Sequence, residues 1–131
     1  MKFRLPNTDV EFEVPDEWWK FAEMDNFRSA SGETYYPYQV ECLSPIQLVA
    51  IRDVEPPVRK PGLDPFKKYK LVPVLLAFRS PECRLPPVEV TLTSNSEFKY
   101  RVLNGFHRYY ASVAVGYGYL PVIVKKAEDA L

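Results

Sequence analysis

Hydrophobic and polar residues alternate along the first part of the chain in a way that predicts one strand and one short helix. Val10, Phe12 and Val14 are separated by acidic residues, which is typical of a strand with one solvent-exposed face. The segment Pro15-Asp16-Glu17 is expected to begin a helix that runs to about Met24, because acidic side chains are favoured at a helix N-terminus. Residues 25–38 are predicted as a loop.

The middle of the chain is interrupted by prolines. Residues 39–51 are predicted as a strand that bends, and residues 52–62 as a stiff charged loop, because prolines cannot donate the hydrogen bonds of a sheet or helix. Residues 67–80 are predicted to be helical. Pro73 leaves two alternatives open: one helix with a kink, or two short helices of which the second begins at Pro73.

The last third of the chain is predicted to contain a hairpin, a helix and a strand. Residues 87–103 alternate as a hairpin, a helix is expected to start at His107 and stop near Gly116, and residues 120–124 form a last strand. This order of elements describes an α+β domain. We expect one compact unit, with residues 1–45 as an aromatic-rich extension packed on a core of residues 46–131.

The charges of the chain cancel as a whole but not along its length. Seventeen basic and seventeen acidic side chains give no reason to expect a strong whole-molecule attraction to nucleic acid or to an anionic membrane. The net charge is −5 in residues 1–45, +4 in residues 46–79 and +1 in residues 80–131. The basic middle third is therefore where an anion site is expected.

Cysteine and histidine content argues against a structural metal site. The chain has only Cys42, Cys83 and one histidine, with no spacing typical of zinc ligands, so no bound metal is expected. The longest apolar run, Val74 to Phe78, is far shorter than the roughly 20 residues that cross a membrane. In the absence of a signal-like N-terminus, we expect a cytoplasmic protein with reduced thiols.

The segment Asn104-Gly105-Phe106-His107-Arg108 joins the predicted hairpin to the helix that follows it. Amide groups at the start of a helix have no acceptor within the helix and carry partial positive charge, so an anion can bind there. Arg108 would close over such an anion, and this turn therefore predicts a phosphate site.

The same segment, Gly105 to Arg108, resembles the G-x-H-R element of the ParB/sulfiredoxin fold family, continued by Tyr109 and Ala111 as in its H-R-Y-x-A pattern. Residues Pro86 to Val90 resemble the strand before the hairpin in sulfiredoxins, and Ile51-Arg52 resembles the end of their first strand. The resemblance covers roughly residues 46–125. It implies a small mixed sheet packed with helices.

Members of this family bind ATP, CTP or ADP, and the resemblance implies a nucleotide ligand with Mg²⁺ for this chain as well. A lysine on the preceding helix would assist the turn, and either Lys67 or Lys70 fits that position. Arg52 and Arg59 share the proline-rich loop that is expected to face the site. The candidate phosphate-binding residues are thus Asn104, Gly105, His107, Arg108, Lys67, Lys70, Arg52 and Arg59.

Two departures from the family limit the chemistry that is expected. Phe106 stands where sulfiredoxins have their nucleophilic cysteine, so reduction of a sulfinic acid is not expected. Asn104 stands where the related serine kinase has an aspartate, and an amide cannot act as a general base. His107, by proton transfer, and Glu89, by holding Mg²⁺ through water or orienting an arginine, are the remaining candidates for catalysis, and whether the chain is an enzyme stays open.

Two other functions are considered beside nucleotide binding and weak hydrolysis or phosphotransfer. The first is a non-enzymatic interaction module that contacts a protein partner through Trp18, Trp19 and the Tyr35–Tyr38 region. The second is a metal-dependent nuclease, for which the sequence has no obvious acidic cluster. Direct DNA binding is not expected, because no counterpart of the DNA-binding part of the chromosome-partition proteins of this family is apparent. Membrane binding is not expected either, because the apolar runs are short and the charges cancel.

Overall fold

The computed structural model of the chain describes residues 1–25, 27, 34–36, 45–57, 66–80, 85–93 and 97–126. Within these residues the chain forms helices, a two-stranded hairpin and a five-stranded sheet, so the predicted α+β class is confirmed. The strands are β1 (Lys2–Arg4), β2 (Glu11–Glu13), β3 (Gln47–Ala50), β4 (Val54–Glu55), β5 (Val88–Leu92), β6 (Tyr100–Asn104) and β7 (Tyr119–Lys125). The helices are α1 (Asp16–Phe21), α2 (Lys68–Arg79) and α3 (Phe106–Val115), with a 3₁₀ turn at Ile51–Asp53.

The larger sheet is mixed, with the strand order β3-β7-β5-β6-β4. β5 and β6 form the antiparallel hairpin predicted for residues 87–103, and β7 is the predicted last strand. β3 is antiparallel to β7, whereas β5 runs parallel to β7 and β4 runs parallel to β6. β4 pairs only with the first two residues of β6, so no described strand flanks the second half of β6 on that side.

The 3₁₀ turn and β4 correct the prediction of a continuous loop over residues 52–62. Val54 and Glu55 pair with Tyr100 and Arg101 of β6, and the first proline follows directly at Pro56. Prolines can therefore prevent strand pairing only from Pro56 onwards, because Val54 and Glu55 keep the N–H groups that a sheet requires. Residues 58–65 and 39–44 lie outside the described residues, and so do the expectations made for them, including Cys42.

The helices differ from the predicted ones mainly at their ends. α1 stops at Phe21 and not near Met24, since Glu23 has a left-handed backbone conformation (φ 56°) that no α-helix accommodates. α2 is one helix that contains Pro73 in its interior, so the alternative with two helices is wrong. Pro73 lies on the exposed side of α2, where water can hydrate the carbonyl that its missing N–H leaves without a donor.

The N-terminal hairpin and α1 share one buried cluster with the rest of the chain. The ring of Phe12 from β2 lies 5.8 Å from that of Phe66 and 5.0 Å from that of Tyr110, both nearly perpendicular to it. Trp19 packs on Phe3 with a ring separation of 5.4 Å. Aromatic packing therefore fixes the first 25 residues against α3. The division at residues 45 and 46 remains a prediction.

No helix in the described ranges is both long enough and apolar enough to cross a membrane.

Candidate functional site

The connection from β6 to α3 places a helix N-terminus at one end of the sheet. Gly105 links the two elements with φ 116° and ψ 30°, a conformation that side-chain-bearing residues rarely adopt. The first helical hydrogen bond of α3 is donated by the N–H of Tyr109 to the carbonyl oxygen of Gly105, at 2.9 Å. The amides before Tyr109 lie at the N-terminal end of α3, where the helix carries its partial positive charge.

A cavity of about 470 Å³ opens at this helix start. One side of it is formed by the end of β6 and the first turn of α3, and the opposite side by Lys70 and Val74, one turn apart on α2. Both α2 and α3 contribute apolar as well as polar or charged side chains to its walls. The residues that line it are Pro57, Lys70, Val74, Leu85, Pro86, Val102, Leu103, Asn104, Gly105, Phe106, His107 and Arg108.

Arg108 is held in a fixed position at the edge of the cavity. Its Nη1 donates hydrogen bonds to the backbone carbonyl oxygens of Pro86, at 2.9 Å, and of Pro87, at 3.1 Å. A guanidinium group has five N–H donors, so these two bonds leave donors for a ligand.

Gly105 is required by packing as well as by its backbone conformation. A Cβ atom added at this position would lie 3.0 Å from both methyl groups of Val88 and 3.1 Å from Nη2 of Arg108. The start of β5, the turn and the guanidinium group are therefore in close contact. Any side chain at residue 105 would displace Arg108 or Val88.

Charged and polar side chains from β5, β6 and β7 lie close together beside the cavity. Nζ of Lys125 lies 3.1 Å from Oε1 of Glu89. The hydrogen bond from Lys125 holds the pKa of Glu89 below its usual value, partial burial opposes this, and the Asn104 side chain and the charge of Arg108 lower the pKa further. Glu89 is therefore ionised at neutral pH, with the side chain of Asn104 and the charge of Arg108 close by.

An irregularity in the strand pairing changes the direction of Asn104. Glu89 pairs with Asn104 and the next residue, Val90, pairs with Val102, so Leu103 is an extra residue in β6. Such bulges bend a strand and redirect its side chains. Here the bulge brings both Leu103 and Asn104 to the wall of the cavity, directly before Gly105.

The structure brings together five of the residues that the sequence singled out as phosphate ligands, and separates others. Lys70 lines the cavity, whereas Lys67 is not among the lining residues and its Nζ lies 5.9 Å from the centre of the Tyr69 ring. Arg52 lies in the 3₁₀ turn next to the start of β6, at the opposite end of that strand from Gly105, and is not in the cavity wall. Arg59 lies outside the described residues. The five residues in the wall are Asn104, Gly105, His107, Arg108 and Lys70.

Several features of the site were not found from the sequence. The carbonyl groups that hold Arg108 belong to Pro86 and Pro87, and no sequence pattern marks a backbone acceptor from a different element. The rings of Phe66 and Phe106 flank His107 at 6.0 and 5.2 Å between ring centres. The aromatic content of the chain signalled such packing, but not its position.

The aromatic segment expected to contact a partner is largely internal. Trp19 is 7% exposed and Tyr36 is fully buried, and the hydroxyl group of Tyr36 donates a hydrogen bond to the carbonyl oxygen of Pro86 at 2.6 Å. Trp18 and Tyr35 are half-buried, and Tyr38 lies outside the described residues. The expectation of a partner surface at Trp19 and Tyr36 is therefore wrong, because both side chains belong to the core.

In the described part of the chain, no group of three His, Cys, Asp or Glu side chains is arranged to hold a metal ion. Cys83 lies outside that part.

Comparison with known proteins gives a likeness of fold but none of sequence family. No known family model and no curated protein matches the chain. Among solved structures it is similar to the C-terminally truncated chromosome-partitioning protein ParB from Caulobacter crescentus, complexed with CTP-gamma-S, with a TM-score of 0.49 and 19% identity. The match covers 65% of this chain and 46% of that one, so the chain spans less than half of that protein's length. A likeness of this size leaves the ligand of this chain to be argued from the site itself.

Proposed function

We propose that the cavity at the start of α3 binds the phosphate groups of a nucleotide. The observation that supports this proposal is the convergence of three kinds of phosphate donor on one space of about 470 Å³: the α3 amides, the Arg108 guanidinium and the Lys70 ammonium group. Binding pockets for small molecules usually measure roughly 300–1,000 Å³. The cavity therefore has the size and the charge for a phosphorylated small molecule.

The three kinds of donor complement one another. A helix start supplies backbone N–H groups and partial positive charge. Arg108 supplies planar paired donors, and Lys70 a point charge from the opposite side. Because Arg108 is already fixed by Pro86 and Pro87, binding would not have to order its side chain.

The other walls of the cavity suit the nucleoside part of such a ligand. Val74, Leu85 and Phe106 provide apolar surface next to the donors. Asn104 lines the cavity, and its side-chain amide can both donate a hydrogen bond to and accept one from a hydroxyl or amino group. A ligand with one anionic end and one flat, weakly polar end therefore fits better than inorganic phosphate alone.

We propose ATP, ADP or CTP as the ligands to test, with Mg²⁺ carried by the phosphate groups. For hydrolysis or phosphotransfer, His107 is the better-placed candidate for proton transfer because it lines the cavity, whereas Glu89 is engaged by Lys125. Release of phosphate from each nucleotide tests turnover separately from binding.

Calorimetric titration with ATP, ADP, CTP and GTP, each with and without Mg²⁺, tests the proposal directly. We expect at least one nucleotide to bind, and Lys70→Gln to weaken its binding by about tenfold or more, since a charge-assisted hydrogen bond contributes about 1.5–3 kcal/mol. Lys67→Gln is the matched control, because Lys67 has the same charge and lies three residues away but outside the cavity wall.

Two results would contradict the proposal. One is that no nucleotide binds the folded protein in any of these titrations. The other is that Lys70→Gln and Lys67→Gln bind a nucleotide equally well, because the ligand would then lie elsewhere. Arg108→Ala is a poorer test, since its loss also removes the contacts to Pro86 and Pro87 and perturbs the fold.

A further inference from the structure

A second surface, outside the cavity, combines exposed aromatic rings with lysines. Phe21 at the end of α1 is 63% exposed and Tyr69 in the first turn of α2 is 68% exposed. Nζ of Lys68 lies 5.2 Å from the centre of the Phe21 ring, and Nζ of Lys67 lies 5.9 Å from the centre of the Tyr69 ring. We call these four residues the basic–aromatic patch.

The lysines of this patch carry positive charge that no described acidic side chain is close enough to pair with. Neither Lys67 nor Lys68 has an acidic side chain within ion-pair distance in the described ranges, and the first turn of α2 contains no acidic residue. Lysines at a helix N-terminus are repelled by the helix dipole, so this arrangement costs stability. An external anion would relieve that repulsion.

We propose that the basic–aromatic patch binds single-stranded nucleic acid. Each nucleotide of such a strand presents a flat base and, one ribose away, a phosphate group. In each of the two pairs the ammonium group lies over an exposed ring, 5 to 6 Å from the ring centre. A base would stack on the exposed ring while the flexible lysine turns from the ring to the phosphate group. Stacking of bases on aromatic side chains beside a basic path is the general way in which proteins bind single strands without reading their sequence.

The same surface does not fit duplex DNA or an acidic peptide equally well. In a duplex the faces of the bases are stacked on one another and cannot cover Phe21 or Tyr69. An acidic peptide would use the lysines but would leave both exposed rings in water. The rings therefore distinguish the proposed ligand from other polyanions.

The whole molecule has no net charge, so the attraction arises only near the patch. The inference does not rest on nucleotide binding in the cavity, because its residues are different ones. Lys70 directly follows Tyr69 in the chain and lines the cavity. A nucleic acid strand bound to the patch would therefore pass close to the opening of the cavity.

Fluorescence anisotropy with labelled single strands of twelve thymidines or twelve adenosines tests the inference. We expect binding that weakens by about sevenfold between 50 and 200 mM salt, as for the roughly two phosphates that Lys67 and Lys68 would neutralise. Tyr69→Ala and Phe21→Ala should each weaken binding at least about fivefold, because each removes one stacking surface. Lys67→Gln should reduce the slope of log affinity against log salt by about 0.7.

Matched controls are available at the end of the β5–β6 hairpin that lies away from Gly105. Leu92 is as exposed as Tyr69 and lies at the end of β5, so Leu92→Ala removes an exposed apolar side chain that belongs to neither ring–lysine pair. Lys99→Gln removes an exposed lysine at the start of β6. We expect both variants to bind the strands as tightly as the original protein.

The inference is overturned if the single strands do not bind at 50 mM salt. It is equally overturned if a duplex or polyglutamate binds as tightly as the single strands, or if Tyr69→Ala and Phe21→Ala have no more effect than Leu92→Ala. If the nucleotide titrations fail while the strands still bind through the two rings, only the proposal for the cavity is lost.

Discussion

Replacement of Gly105 by alanine is expected to destabilise the fold more than any other glycine substitution in the described part of the chain. The backbone at Gly105 has φ 116°, and a left-handed conformation costs a residue with a side chain about 1–2 kcal/mol. The new Cβ would also meet both Val88 methyl groups at 3.0 Å, and overpacking of this kind costs about 1–3 kcal/mol. We expect a total of about 2–5 kcal/mol.

Two other glycines separate these contributions. Gly116 ends α3 with φ 98°, but nothing lies within 4 Å of a Cβ added there, so Gly116→Ala should cost only the conformational part, about 1–2 kcal/mol. An added Cβ at Gly118 also meets nothing, and its φ is not in the left-handed region. Gly118→Ala should therefore change the stability by less than about 0.5 kcal/mol.

Urea unfolding followed by tryptophan fluorescence measures the three free energies under one set of conditions. We expect the loss of unfolding free energy to be largest for Gly105→Ala, smaller for Gly116→Ala and smallest for Gly118→Ala. In a separate thermal unfolding experiment, the Tm of Gly105→Ala should fall by roughly 10 °C. If Gly105→Ala lowers the free energy of unfolding no more than Gly116→Ala does, then the side chains of Val88 and Arg108 can move away from the added methyl group at little cost. The close contact of the turn with β5 would then not be the reason for a glycine at this position.

Three further substitutions test other contacts of the structure. The folded-state pKa of Glu89 is lowered by Lys125, so its stabilising contribution is present above the unfolded-state pKa and is lost on acidification; between pH 6 and pH 3 the Tm of the original protein should fall more than that of Glu89→Gln, and equal falls would contradict the assignment. Pro73→Ala should raise the free energy of unfolding by about 1–3 kcal/mol in urea titrations, because the α2 interior regains a hydrogen bond, and no gain would mean that the proline is accommodated without cost. The buried Tyr109 hydroxyl has no hydrogen-bond partner in the described ranges, so Tyr109→Phe should be neutral or stabilising, whereas Tyr36→Phe should cost about 1 kcal/mol; the reverse order in thermal unfolding would refute this.

The elements with a strong period or a clear turn signal could be predicted from the sequence. The hairpin of β5 and β6 and the start of α3 follow from alternation and from Gly105, whose backbone conformation few other residues adopt. The short strand β4 could not be predicted, because it consists of two residues and exists only by pairing with β6. The early end of α1 depends on the conformation of Glu23, which has no local signal in the sequence.

The candidate site was predictable where the residues are consecutive and unpredictable where they come from distant elements. Asn104 to Arg108 form a single turn, so their proximity is given by the chain itself. Lys70 lines the cavity and Lys67 does not because of which side of α2 faces α3, and that orientation is set by the buried residues of α2. The position of Arg52 away from the cavity wall depends on the direction of β6, which only the pairing with β4 reveals.

The contacts of Arg108 connect the stability of the fold with the shape of the cavity. Its guanidinium group bonds to the carbonyl groups that precede β5 and contacts the turn at Gly105 that follows β6. The two strands of the hairpin are therefore joined at the cavity by a side chain of α3, in addition to their own hydrogen bonds. Since these contacts form without a ligand, the donors at the helix start are ordered before binding, which reduces the entropy that binding would otherwise cost. The same rigidity means that a substitution at Val88 or Gly105, which need not touch a ligand, should alter the cavity through Arg108.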